Sequence, residues 1–280
     1  MDISLSDLKY FLKTAELQNI SKAALELGIR QPSLSQAMKK MEESLDVTLF
    51  HRSKKGVSLT REGKALYLRS RTMLDYWHET EAEVSGVKHS LTGLIRFGCH
   101  PSVGLFTLRY FLPTFLKKHT KVDFEIVNGH SREITKQVIN SEIDMAIVVN
   151  PIDHPDLVKI KLYEDDVCLW SKGSIDGKPL IMDPDLLQSK ELEKKIKKMK
   201  LKINRKISVS SLENIVSLVA SGVGVGIIPS RVVKESGKKI IKLKEIPIFK
   251  DEHFLIYRFE NRKLKIFSEL KEYILEGLKN

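Results

Sequence analysis

The 280-residue chain has two cysteines, Cys99 and Cys168, and two tryptophans. Two thiols cannot build a disulfide framework, and so sparing a use of cysteine fits a reducing compartment, so a cytoplasmic protein is expected. No apolar run is long enough to span a bilayer, and no membrane partner is expected. The opening MDISLSDLKY has neither the basic start nor the apolar core of a secretory signal. Gly-x-Ser-x-Gly, paired histidine ligands and a phosphate loop are also lacking, which removes the common signatures of hydrolases, zinc peptidases and nucleotide-binding enzymes. Gly222-Val223-Gly224-Val225-Gly226 is no dinucleotide fingerprint, because it follows a helical stretch and precedes a strand. No cofactor is expected. No metal site is expected either, since no His or Cys residues stand at close ligand spacing.

Acid is the scarcer charge: 36 Asp and Glu against 47 Lys and Arg leave a formal +11. The excess is local. Residues 30–71 carry ten cations and four acids, whereas residues 1–90 as a whole are nearly balanced, 14 against 12. A second basic run, residues 194–206, reads as the solvated face of an amphipathic helix rather than a secondary DNA contact. The local cluster at 30–71, rather than the overall charge, is what points to nucleic acid.

That cluster surrounds NISKAALELGIRQPSLSQAMKKMEESL, residues 19–45. Ser21 can cap a first helix through Ala23, Ala24 and Leu27, and Gly28 ends it by turning the chain at little steric cost. A second helix opens at Gln31-Pro32, where proline's missing N–H matters least. Leu34, Met38, Met41 and Leu45 form one apolar stripe. The opposite side carries Ser33, Ser35, Gln36, Lys39 and Lys40, short hydrogen-bonding groups followed by cations. This pattern predicts a helix-turn-helix whose second helix reads base edges and phosphates. Residues 4–17 form a supporting helix capped by Ser4. Two β-like pieces around Leu49-Phe50 and 57–59 flank Arg52-Ser53-Lys54-Lys55-Gly56, a hairpin wing with a cationic tip suited to phosphates.

Thr60 then caps a long helix to about residue 88. Leu66, Met73 and Val87 take one heptad seam position and Trp77 and Val84 the other, with Ser70 and Thr80 as breaks. At about 1.5 Å per residue this helix reaches roughly 40 Å, and two copies side by side would make a dimer. From residue 91 strands alternate with helices. Strands are expected at 94–98, 122–126, 143–149, 166–170, 206–209, 225–229 and 254–257. Helices are expected at 102–118, 131–140, 211–221 and from about 262, with Leu192, Ile196 and Met199 marking one more. The expectation is two α/β lobes joined by crossing strands, with ligands at strand carboxyl ends and helix N-termini.

Ala23-Ala24, Gln31-Pro32-Ser33-Leu34-Ser35, Met41-Glu42, Leu49-Phe50-His51-Arg52 and Leu59-Thr60-Arg61-Glu62-Gly63 together resemble the LysR-type transcriptional regulators. Leu112-Pro113, Ile143-Asp144-Met145-Ala146-Ile147 and the run from Val219 to Gly226 extend the resemblance over nearly the whole chain. It implies an α/β fold with an N-terminal all-α winged helix-turn-helix and a two-lobed, periplasmic-binding-protein-like effector domain. The divisions expected are 1–59 for DNA binding, 60–90 for the dimerising linker helix and 91–280 for the effector domain. Within the last, lobe I takes about 91–162 and 258–280, and lobe II about 163–257. Carried over, the DNA-facing residues are Ser21, Gln31, Pro32, Ser33, Ser35, Gln36 and Lys39, with Arg52, Lys54 and Lys55 at the wing. The chain departs from the family pattern at Arg30, which replaces a common serine and adds a phosphate contact, and at Asp46, which replaces a glycine. The segment CHPSVGLFTLRYFL is longer than in many members.

The resemblance also places the effector near Cys99, His100 and Ser102; Gly129 and His130; Asn150 and Pro151; and Ser208, Ser210 and Ser211. Helix N-termini and hydroxyls there favour a carboxylate or other small anion. Each has a plainer role beside it. Ser210 and Glu213 have capping-box spacing, Ser131 can cap its own helix, His100 and His130 suit solvated loops, and the cysteines read as buried inert thiols sooner than as a redox switch. The leading expectation is a sequence-specific regulator of double-stranded DNA, a homodimer or homotetramer, switched by a small effector, with RNA polymerase as a further partner. An enzyme or a solute-binding protein with an appended helical domain is the alternative.

Overall fold

The computed structural model describes residues 3–85, 91–199, 205–243 and 246–279. The chain forms two compact units, Met1–His89 and Ser90–Asn280.

In the first unit α1 (Leu5–Leu17) begins with a capping box, the Ser4 hydroxyl accepting from Asp7 N–H and the Asp7 carboxylate accepting from Ser4 N–H. Helix α2 (Ile20–Glu26) is capped by Asn19, whose Oδ1 accepts from Lys22 N–H at 3.0 Å. Ser21, expected as the cap, lies two residues past it and is exposed within the helix. Gly28 takes φ +67° between α2 and α3 (Gln31–Leu45). In α3 the expected stripe is turned inward: Leu34, Met38 and Met41 are buried with Phe11, Ala23, Ala24, Leu49 and Phe50. Asp46 ends the helix at φ 53°, ψ 42°, in the left-handed region. Glycine enters that region freely, and aspartate is among the few other residues that visit it, so the departure from the family pattern keeps the same turn.

Strands β1 (Phe50–Ser53) and β2 (Gly56–Leu59) pair antiparallel around a two-residue tip, Lys54-Lys55. Gly56 has φ +134°, and any Cβ there would strike the Gln18 carbonyl, which also accepts from Val57 N–H. The wing is thereby pinned to the end of α1. Thr60 caps α4 (Arg61–Ser85), its hydroxyl accepting from Gly63 N–H at 2.9 Å. The first turns of α4 pack on α1 through Leu66, Tyr67 and Leu74, and Ser70 is fully buried among them. Ser70 was expected to break an intermolecular seam; it faces its own unit instead. Met73, Trp77 and Val84 remain exposed, and Val87 lies outside the described residues.

The second unit carries a mixed sheet. The chain runs through β3 (Thr92–Cys99), α5 (Pro101–Lys118), β4 (Lys121–Asn128), α6 (Ser131–Ile139) and β5 (Met145–Val149), where β3 pairs parallel with both β4 and β5. Strand β6 (Leu157–Ser171) crosses to a second α/β set. There β7 (Leu180–Met182), α7 (Leu187–Lys198), β8 (Lys206–Ser208), α8 (Leu212–Ala220), β9 (Val225–Pro229) and α9 (Ser230–Ser236) follow, with β7 parallel to both β8 and β9. After β10 (Ile241–Lys242), β11 (Phe249–Arg258) returns antiparallel to β6 along its whole length. A 3₁₀ turn (Phe259–Lys263) and α10 (Lys265–Gly277) complete the chain on the first set, where α10 packs against α5.

The architecture is the expected two lobes joined by crossing strands. Several of its parts differ from the sequence reading, among them α9 and β10, which had no counterpart there. The crossings β6 and β11 are much longer than residues 166–170 and 254–257, because each runs through both lobes. Strand β7 was not anticipated at all. It is three residues long, too short for any periodicity to register.

Candidate functional site

Two arrangements carry the chemistry. The first is the outer face of α3. Gln31, Pro32, Ser33, Gln36 and Lys39 are exposed, Ser35 is half-buried, and Arg30 stands exposed at the helix N-cap. Proline in the first turn and the buried Leu34–Met38–Met41 stripe turn all of these polar groups to one side. The wing is tied to this helix through Glu42. Its Oε1 accepts from Leu49 N–H at 2.7 Å and Phe50 N–H at 3.1 Å, and its Oε2 lies 3.5 Å from the Arg52 guanidinium. Arg52 Nη1 also donates to Ser35 Oγ at 3.4 Å. Lys39 pairs with Glu43 at 3.5 Å on the solvent side, while Lys54 and Lys55 are exposed at the tip. Glu42 was legible only as part of a motif; its role as the strut between helix and wing comes from the structure.

The second arrangement lies in the two-lobed unit, where parallel strands from both lobes end. His100 follows β3 and caps α5, its Nδ1 accepting from Ser102 N–H at 3.3 Å. His130 stands just beyond β4 at the N-cap of α6 without making a side-chain cap. The two rings are 5.7 Å apart. Asp183 follows β7 in the other lobe, fully buried; its Oδ1 accepts from Asp185 N–H at 2.9 Å. Ligand atoms of His100, His130 and Asp183 all lie within 4.8 Å of one another. His130 Nδ1, Asp183 Oδ2, Glu213 Oε1 and Ser102 Oγ are buried with no hydrogen-bond partner. Burial, and next the neighbouring His130, lower the pKa of His100, which Glu213 and Asp183 oppose; the ring stays neutral near pH 7.

The other residues expected at this site divide. Cys99 is buried beneath it, its carbonyl accepting from Gly129 N–H, and burial pushes its thiol up to about 11. Cys168 is also a buried free thiol, raised by burial. Asn150 has both polar side-chain atoms engaged by the crossing strand, Nδ2 donating to Asp251 at 2.9 Å and Oδ1 accepting from Glu252 N–H at 3.0 Å. Pro151 beside it is half-buried. Ser208 ends β8 and is exposed, as is Ser210. The capping box expected at Ser210 does not form; the helix is capped one residue later, by Ser211 alone. Ser211 Oγ accepts from Asn214 N–H at 3.2 Å and donates to Glu213 Oε2 at 2.9 Å. Asp183 and Glu213 were missed as site residues. The signal for Asp183 was present: an acid closing the short apolar run Leu180-Ile181-Met182, where a parallel strand would present it at a carboxyl end.

In α7 the expected apolar face holds at Leu192 and Ile196, which are buried, but not at Met199, which is 39% exposed at the helix end. Lys194 and Lys197 pair with Glu191 and Glu193 of the same helix. Residues 200–204 of the basic run lie outside the described residues.

A winged helix-turn-helix followed by a two-lobed α/β unit defines a DNA-binding regulator with a domain for a ligand. The family comparisons agree with both parts. The "Bacterial regulatory helix-turn-helix protein, lysR family" model matches residues 5–64, and the "LysR substrate binding domain" model matches residues 88–279. The chain belongs to the LysR family of transcriptional regulators. It is 26% identical over 253 residues to the HTH-type transcriptional regulator SoxR of an Arthrobacter species, covering 88% of this chain and 86% of that one. It is also 26% identical to YofA of Bacillus velezensis, over 98% and 96% of the two chains.

Among solved structures, a full-length OxyR variant from Pseudomonas aeruginosa superposes with TM-score 0.73 at 20% identity, covering 100% of this chain and 95% of that one. Full-length LysG of Corynebacterium glutamicum, solved with bound effector Arg, gives TM-score 0.69 at 15% identity over 99% and 98%. At these identities the likeness is one of fold. No described helix is long and apolar enough to cross a membrane.

Proposed function

We propose that α3 enters the major groove of an operator, with Gln31, Pro32, Ser33, Ser35, Gln36 and Lys39 facing the DNA and Arg30, Arg52, Lys54 and Lys55 contacting phosphates. Ser21, exposed on α2, joins the backbone-facing set. One observation carries this reading: α3 buries Leu34, Met38 and Met41 of its apolar stripe and leaves a polar face of short side chains beside a cationic wing. A helix so arranged fits a groove, and the wing's cations add affinity that is independent of sequence.

The exposed stripe Met73, Trp77 and Val84 on α4 supports pairing of two chains, so that two recognition helices meet two half-sites. The effector is placed at the strand ends around His100, Ser102 and His130. The protein works in the cytoplasm, as a dimer or tetramer, with RNA polymerase as the downstream partner and no catalytic step of its own.

Two variants separate reading from anchoring. Gln36→Ala relaxes discrimination among operator sequences while keeping general affinity. Lys55→Ala weakens binding to every sequence and lowers the slope of log K against log salt by about 1. Binding titrations on operator and scrambled duplexes at several salt concentrations measure both. If neither variant differs from the parent protein, α3 and the wing are not the DNA-facing surface.

A further inference from the structure

We infer that the ligand site of the two-lobed unit takes a first-row divalent metal ion, held by His100 and His130 from one lobe and Asp183 from the other. The inference rests on the regulator reading above and names the chemistry of its effector.

Three features support an ion of this class. The donor set is two imidazoles and a carboxylate, which suits zinc and its neighbours rather than calcium or magnesium, whose sites are built from oxygen. Asp183 is fully buried, one oxygen held by Asp185 N–H and the other without a partner among the described residues. A buried carboxylate without compensation is costly, and a bound cation supplies that compensation. The held oxygen also has the role of an outer hydrogen bond that aims a ligand. Glu213 Oε1, likewise buried and unpartnered, adds a second acid on the same side. Two acids at this mouth disfavour the small anion that the helix N-termini alone suggested.

The geometry also supplies a switch. In a tetrahedral site with bonds near 2.0–2.1 Å the ligand atoms sit roughly 3.4 Å apart, against the 4.8 Å that spans them here. Binding therefore contracts the donor set, which joins residues of both lobes. It also undoes a helix cap. A neutral imidazole has a single lone pair. If Nδ1 of His100 binds the ion, that lone pair is used; if Nε2 binds, the proton moves to Nδ1. Either way Ser102 N–H loses its acceptor at the start of α5.

The test uses the full-length protein stripped of metal by a chelator and titrated with Zn²⁺ alone against a colorimetric zinc indicator. One ion per chain is expected, with Co²⁺ giving visible d–d absorption when it replaces zinc. His130→Ala and Asp183→Asn should each weaken binding by roughly 100-fold or more, at least what loss of an outer partner costs. His154→Ala, paired with Asp156 outside this site, should leave it unchanged. Thermal melts of each stripped variant confirm that the chain remains folded. Absence of stoichiometric zinc, or binding indifferent to both ligand variants, overturns the inference. An operator footprint run on the same protein, stripped and again with Zn²⁺ restored, keeps the two readings apart. A footprint without zinc binding defeats the metal alone, whereas zinc binding without any footprint defeats the regulator reading and leaves the metal site standing.

Discussion

Glu42 is 16% exposed in its side chain and yet accepts two backbone hydrogen bonds, from Leu49 and Phe50 at the start of the wing, while facing Arg52. Replacing it with alanine leaves Leu49 N–H without an acceptor in a buried place, a loss on the order of 1–3 kcal/mol. Glu42→Ala should therefore lower the free energy of unfolding by that amount, read as a lower urea midpoint, and loosen the wing. Glu42→Gln, which keeps one acceptor oxygen, should lose less. Asp251 offers a residue-scale test in pH. Burial first, and the neighbouring Asp165 with it, raise its carboxyl to about 7 against the hydrogen bond from Asn150. A folded acid with a raised pKa holds its proton more tightly than the unfolded chain does. Its contribution is complete below the unfolded value of about 4 and is lost as pH rises through 7. His253 works the other way: burial, then Arg231, lower it to about 3, so its contribution is present above about 6.5 and lost toward acid. Asp251→Asn removes only the first, so the variant should gain on the parent protein in melting temperature at pH 8 compared with pH 5. An offset that is the same at both values would remove Asp251 from the account.

At the scale of elements, α4 combines two uses in one helix. Its first turns bury Leu66, Ser70 and Leu74 on their own unit, and its later turns leave Met73, Trp77 and Val84 exposed. The heptad reading put Leu66 and Ser70 in one seam with these exposed residues, because periodicity reports a face and not what the face meets. Trp77→Glu together with Val84→Glu should shift the protein toward monomer in sedimentation velocity while leaving its melting temperature nearly unchanged, since exposed substitutions move stability little. Unaltered mass would send the dimer contact elsewhere. The same limit explains Ser21: residue type alone suggested it as the cap, whereas the extended backbone at Asn19, φ −151°, puts the cap two residues earlier. The α3 stripe was readable because four apolar residues repeat at helical spacing. Strand β7, at three residues, offered nothing to count.

For the whole molecule, the two-lobed plan was legible from alternation alone, since near-continuous apolar strands separated by helices leave few topologies. The meeting of His100, His130 and Asp183 was not. Spacing along the chain finds ligands only when they share one element, and these residues close three different strands in two lobes. Tertiary topology brings them together, so the sequence argument that excluded a metal by close spacing did not reach them. The face proposed for DNA is the reverse case, a single helix whose two sides are written in one fifteen-residue stretch. The central claim is that this face reads a specific operator as a symmetric pair. The measurement that tests it most directly is a footprint of the full-length protein on the DNA upstream of its own gene across a range of salt. The account predicts protection of two half-sites spaced by whole helical turns, persisting against competitor DNA. Protection that spreads evenly over any sequence and vanishes with salt would contradict it, leaving a basic protein with no operator.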